Sequence, residues 1–157
     1  MNKHKWKSLI IAIAIPEIVG AVSGLISSPA MMQQSETLLM PPFQPPAWIF
    51  PIVWPILYLL MGIASWLVWQ DNSDESKRSL GLYAVQLFFN FLWPIAFFNL
   101  EWRLFSFFWL LALIVLVFLT MRAFWRIDRR AGWLLVPYLV WCCFAAYLNI
   151  GIYLLNN

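Results

Sequence analysis

Apolar residues along this chain gather into five runs of about twenty, at 9–27, 48–69, 79–98, 104–124 and 133–154, separated by short polar stretches. A helix needs about 20 mostly apolar residues to cross the hydrocarbon core of a bilayer, so each run predicts one transmembrane helix. Membrane β-strands would instead alternate apolar and polar positions over about ten residues, a pattern these runs lack. The expected fold is an all-α membrane protein, a five-helix transmembrane bundle forming one domain over 1–157. Between the runs, 28–47 reads as a loop rich in Pro, Met, Gln and Ser, 70–77 as a polar turn, 99–103 as a short turn and 125–132 as a basic loop.

Composition agrees. The chain is 63% hydrophobic and 11% charged, against about 25% charged in a soluble domain. The ten Lys and Arg residues are unevenly placed. With five spans, Lys3, Lys5, Lys7, Lys77, Arg78, Arg122, Arg126, Arg129 and Arg130 share one side, and the other side has Arg103. Cytoplasmic loops carry the excess of basic residues, so the N-terminus is expected in the cytoplasm and the C-terminus outside. Absence of an Arg-rich transit segment points to a bacterial plasma membrane. Lys3, Lys5 and Lys7 before an apolar run resemble the start of a signal peptide. The run, however, continues through Pro16 and Glu17 to about residue 26 without a small-residue cleavage site, and is read as a retained first helix. The basic clusters do not interleave with polar base-reading residues, which excludes a nucleic-acid partner.

Within the spans, several residues suggest an internal site. Pro16, Pro51, Pro55, Pro94 and Pro137 fall inside apolar runs. Pro51 and Pro137 are placed near helix starts, whereas Pro16, Pro55 and Pro94 are expected to bend their helices and open space between them. Gln86 and Asn90 share a face of the third helix, with Tyr83 and Pro94 on the same stripe, and Trp141, Ala145 and Asn149 line up on the fifth beside Tyr138. The second helix presents Trp54, Tyr58, Met61, Gly62 and Ser65 on one side. Amides in hydrocarbon seek partners, so these faces turn inward, as interhelical glue or as a polar handle for a ligand. Of the eleven tryptophans, Trp6, Trp48, Trp69, Trp102, Trp125 and Trp133 lie near span ends, as interfacial belts do. Trp54, Trp93 and Trp141 lie deeper and are the pocket candidates. Gly20 and Gly24 form a small-residue stripe suited to close helix packing. Glu17 is the one carboxylate well inside a span, and intramembrane acids face a partner or a cavity. Cys142 and Cys143 are read as small apolar fillers.

Other chemistries are excluded by what is missing. The single histidine, His4, is in the N-terminal tail, so no Ser-His-Asp triad, histidine-ligated haem or His/Cys metal site is expected inside the membrane.

The run Pro45-Pro46-Ala47-Trp48-Ile49-Phe50-Pro51-Ile52-Val53-Trp54 resembles a motif of the TspO/MBR family, the tryptophan-rich sensory proteins and mitochondrial translocator proteins. Leu57-Tyr58, Met61-Gly62, Leu82-Tyr83, Gln86-Leu87, Asn90, Trp93-Pro94, Phe97-Phe98, Pro137-Tyr138-Leu139, Trp141, Phe144-Ala145 and Leu148-Asn149 continue the resemblance in order. It implies a five-helix bundle, often a homodimer in the bilayer, that binds porphyrins and related tetrapyrroles and benzodiazepine-type drugs beneath the first loop. No cofactor is required; porphyrin is ligand or substrate. By matching position, Trp54, Asn90, Trp141 and Ala145 line the implied pocket, with Trp48, Tyr58 and Gln86 nearby, and Trp93, Tyr138 and Asn149 complete the expected ligand-binding set. Three readings stay open: a tetrapyrrole receptor or carrier linked to porphyrin handling or stress response, a light-dependent porphyrin oxidant with Trp54 and Trp141 as its catalytic residues, and a structural bundle without a specific ligand. Two departures limit the comparison. Trp109 or a neighbour stands where relatives often carry an acid, and the translocators' cholesterol motif is incomplete, because Leu148 and Tyr153 are followed by no Lys or Arg.

Overall fold

The computed structural model describes residues 2–157. Among these residues there are five long α-helices and no strand: α1 (Lys3–Thr37), α2 (Phe50–Trp69), α3 (Asp74–Pro94), α4 (Arg103–Ile127) and α5 (Arg129–Asn156). All five are long and apolar enough to cross a membrane. The helices pack in the ring order α1–α2–α5–α4–α3, with α3 closing back on α1. Outward faces are apolar on every helix, with Ile10, Ile18 and Leu25 on α1, Ile52 and Ile56 on α2, Phe88 on α3, Phe108 and Val115 on α4, and Val140 on α5 all exposed. A surface this apolar is stable only against lipid tails. The protein is a multi-pass membrane protein.

Helix boundaries depart from the sequence expectation where capping and tertiary bonds extend a helix past its apolar run. α1 continues ten residues beyond 27 instead of giving way to a long loop. Its 35 residues span roughly 52 Å, well beyond a hydrocarbon core of about 30 Å. The extension is held by Gln34, which is buried and donates from Nε2 to the Phe98 carbonyl at 2.7 Å. α3 begins at Asp74 because Ser73 caps it, accepting from the Ser76 N–H at 3.1 Å, and because Asp74 and Glu75 meet the positive end of the helix dipole. The basic loop expected at 125–132 shrinks to one extended residue: Asp128 ends α4 and caps α5 by accepting from the Arg130 N–H at 2.9 Å. The Arg130 guanidinium also bonds Asp128 and holds its carboxyl below the usual carboxylate range. With α5 starting at Arg129, Pro137 lies inside the helix, not in its first turn.

Proline changes the helical ladder at the end of α3. After Pro94 the chain passes into a π-helical stretch, Ile95–Asn99, with the Leu100 N–H bonding the Ile95 carbonyl at 3.0 Å. Proline removes the N–H that would hold the regular ladder, and a π-bulge absorbs the mismatch. Carbonyls along this part of the chain are met from α1: Ser23 Oγ donates to Phe91 O at 2.9 Å, as Gln34 does to Phe98. On α1, Gly20 packs against the Tyr58 ring, since a Cβ there would overlap Tyr58 Cε2. Gly24 meets nothing within 4 Å, so half of the small-residue stripe serves packing and half leaves open space.

The two ends of the bundle differ. Toward the basic end, Met61, Ala64 and Val68 of α2 join Leu113, Val117 and Phe124 of α4 and Leu135 of α5 in a sealed core. Cys142 belongs to this core, whereas Cys143 is exposed on the lipid-facing side. Toward the opposite end, the helices part around a partly open cavity.

Candidate ligand site

The cavity has a volume of about 760 Å³ and is lined by residues of α1, α2, α3, the π stretch, α5 and the loop at 38–46, with none from α4. Its aromatic wall follows from the proline pattern. Pro51 and Pro55 set the first turns of α2, and Trp54, between them, projects inward beside Tyr58 one turn later. Trp54 and Tyr58 stack with ring centroids 5.7 Å apart, and Trp54 meets Trp141 of α5 edge-on at 6.4 Å. Opposite them stands Trp93, stacked on Phe97 at 5.7 Å and fixed by an Nε1 bond to Asn149 Oδ1 at 3.0 Å. Asn149 in turn donates to the Arg103 carbonyl at 2.9 Å. The indole planes are therefore held by their neighbours before any ligand arrives.

The floor is a chain of hydrogen bonds. Tyr58 OH donates to Asn90 Oδ1 at 2.7 Å, Asn90 Nδ2 donates to Tyr138 OH at 2.8 Å, and Tyr138 OH donates to Gln86 Oε1 at 2.8 Å. Tyr58 and Asn90 face the cavity, while Tyr138 and Gln86 lie one layer below, fully buried. Three helices are tied by this chain, and the cavity ends there.

The lid is the loop at 38–46. Asn156, at the end of α5, clamps it by accepting from the Leu39 N–H at 2.9 Å and donating to the Leu39 carbonyl at 2.9 Å. Tyr147 OH donates to the Pro42 carbonyl at 2.8 Å. Pro41 is buried against Gly151, where a Cβ would lie 2.8 Å from Pro41 Cβ.

This arrangement can be compared with known proteins. The TspO/MBR family model matches residues 12–155. The chain is 36% identical over 158 residues to the tryptophan-rich protein TspO of Chlorobaculum tepidum, covering 99% of each chain. It is 40% identical over 116 residues to the translocator protein of Ovis aries, covering 72% of this chain and 69% of that one. The tryptophan-rich sensory protein of Cereibacter sphaeroides is 38% identical over 121 residues, covering 77% and 75%.

The chain belongs to the TspO/MBR family.

Within this TspO/MBR protein the expected site residues separate into three groups. Trp54, Tyr58, Asn90, Trp93, Trp141, Ala145 and Asn149 line the cavity. Gln86 and Tyr138 support its floor without lining it. Trp48 does neither: it is 67% exposed in the middle of the short turn Ala47–Ile49, among the residues suited to a membrane interface. The sequence reading missed the α1 side of the wall, where Ser23, Ser27, Met31 and Gln34 face the cavity. A signal for them existed, because steps of three and four from Gly20 and Gly24 lead through Ser27 and Met31 to Gln34. Assigning 28–47 to a loop hid it. Trp109 stacks on Phe89 at 4.0 Å and donates Nε1 to the Phe89 carbonyl at 2.9 Å, joining α4 to α3 away from the cavity.

The lid contacts yield a prediction. Gly151→Leu is expected to push Pro41 off α5 and to speed hydrogen–deuterium exchange of amides at 38–46 by about tenfold, a change of about 1.4 kcal/mol in local opening, while the helices exchange as before. Unchanged exchange at 38–46 would mean that the loop is held by something other than α5.

Proposed function

We propose that this TspO/MBR protein is a membrane receptor or carrier that holds a porphyrin or another flat hydrophobic ligand in its tryptophan-lined cavity, in the service of porphyrin handling or a stress response. One observation carries the reading: a lidded cavity of about 760 Å³ between preset indole rings. Small-molecule sites are typically ~300–1,000 Å³, mostly apolar with a few placed polar groups. Indole faces suit stacking on a planar macrocycle. Arg103, a cation just behind the mouth, is held over Phe97 and donates from Nη2 to Gln34 Oε1 at 3.3 Å, near where acidic side arms would emerge. A purely structural bundle would have little reason to leave such a space open, because empty volume forfeits packing. The basic end faces the cytoplasm of a bacterial cell in this reading, so the lid faces outward. A homodimer in the bilayer is part of the proposal through family membership alone.

The second reading, a light-dependent porphyrin oxidant, is favoured by the 6.4 Å approach of Trp54 and Trp141 on one wall, where an excited macrocycle would touch two electron-rich rings. One titration tests both. Purified protein in detergent is titrated with protoporphyrin IX in the dark, then illuminated, beside Trp54→Phe and Trp141→Phe. Saturable binding weakened roughly tenfold by either substitution, the loss of one good stacking contact, is the expected result. Bleaching under light that disappears in the variants would favour the oxidant over the carrier. Linear, non-saturable quenching by wild type would overturn the tetrapyrrole site.

A further inference from the structure

Glu17 is unexplained by the porphyrin reading. It sits near the middle of the membrane-crossing part of α1 and lines the cavity, one turn before Gly20 and the Tyr58 ring that Gly20 receives. The ion pairs among the described residues are Arg103 with Glu101 and Arg130 with Asp128. Glu17 is in neither, and none of the hydrogen bonds among those residues involves its carboxyl group. A carboxyl group at that depth is costly unless it meets a partner, and none of the described residues supplies one. Meanwhile the space it faces is walled by Trp54, Tyr58, Trp93 and Trp141. The negative faces of aromatic rings attract cations, most strongly where water is excluded.

We propose that the cavity is a site for flat aromatic cations, with Glu17 as counter-charge and the surrounding indole and phenol rings as the box that holds them. An aromatic amine protonated in water would bring the missing partner with it. Its ring would stack on Trp54 or Trp141, and its charged nitrogen would approach the carboxylate from the cavity side. The desolvation that makes an unpaired Glu17 unfavourable then strengthens the pair, since opposite charges interact more strongly at low dielectric. This ligand class is distinct from the acidic tetrapyrroles, and the inference does not depend on their binding.

Aminoacridine, a planar cation at neutral pH, and methylanthracene, an uncharged molecule of nearly the same shape, provide the test. Each is titrated into wild-type protein and Glu17→Gln in a non-ionic detergent, with empty micelles subtracted. Wild type is expected to bind the cation saturably and at least about tenfold more tightly than the hydrocarbon, and Glu17→Gln to bring the two within about twofold. Equal affinity of wild type for both probes overturns the proposal, as does a preference that survives in Glu17→Gln. The wild-type comparison decides even if the variant fails to fold. Protoporphyrin IX titrated into the same samples separates the two readings: cation binding without porphyrin binding leaves this inference standing and removes the other.

Discussion

Gly62→Leu is expected to abolish recovery of folded, monodisperse protein, and Gly62→Ala to lower its melting temperature by several degrees. Gly62 is where α2 passes closest to α1. A Cβ there would lie 2.6 Å from the Ile13 Cα and 2.9 Å from the Ala12 carbonyl oxygen. Both are backbone atoms, so no side-chain rotation relieves the clash, and the helices must separate. The Ala12 carbonyl is the one that Pro16 leaves without its usual helical N–H, so the proline of α1 and the glycine of α2 meet at one fitted contact. Overpacking a fitted core costs about 1–3 kcal/mol, and 1 kcal/mol moves the melting temperature of a chain this size by about 2–4 °C. Leucine would need far more room than alanine and would displace the wall that carries Glu17 and Gly20. Gly24→Ala is the matched control. Its Cβ would meet nothing within 4 Å, and alanine is the better helix former by up to about 1 kcal/mol. Thermal unfolding in detergent, followed by size exclusion, checks the set. A Gly62→Ala protein as stable as Gly24→Ala would refute the contact.

Asn90→Leu is expected to be the most damaging substitution on the cavity floor. Its amide accepts from Tyr58 OH and donates to Tyr138 OH, with Tyr138 fully buried and Tyr58 nearly so. Leucine would leave the Tyr58 hydroxyl without its acceptor and strip Tyr138 of its donor. The orphaned Tyr58 hydroxyl costs about 1–3 kcal/mol and the lost bond to Tyr138, which still donates to Gln86, about 0.5–1.5 kcal/mol, for a loss of about 1.5–4.5 kcal/mol in stability. Tyr58→Phe should be milder, because the hydroxyl leaves together with its need and Asn90 still faces an open cavity where water can replace it. The double variant Tyr58→Phe, Asn90→Leu is expected to recover part of the Asn90→Leu loss, since replacing both partners by apolar groups is less harmful than replacing one. Melting temperatures of the three variants decide the matter. Purely additive losses would mean that the chain of bonds is not an energetic unit.

Bundle type and span number were legible from hydrophobicity because a bilayer imposes them locally. Every backbone group must be satisfied within its own segment, so a run of twenty apolar residues has one solution. Trp54, Trp93 and Trp141 were legible as pocket candidates for a related reason: a tryptophan deep in a span has no interface to anchor to and must find another use for its ring. Ordered motifs from Pro45 to Asn149 carried the family. Trp48 belongs to the same motif and nevertheless faces outward, because a motif records sequence neighbours and not the direction of a side chain at the start of a helix.

What tertiary structure alone decided concerns distance between helices. The extension of α1 to Thr37 rests on Gln34 reaching Phe98, 64 positions away in sequence. The order α1–α2–α5–α4–α3 places Tyr138 under Asn90 and Trp141 beside Trp54, and periodicity within one helix carries no information about its neighbours. Gly62 and Gly20 are indistinguishable from Gly24 in the linear chain, and only the approach of a second helix makes two of them indispensable. The sequence by itself determined that this chain lives in a membrane as five helices with aromatic, proline-containing interiors, because those properties follow from each segment's own solvation. That the helices leave a lidded cavity, sealed at the basic end and faced by a lone carboxylate, was decided by packing, which depends on residues far apart in the chain meeting at a few ångströms.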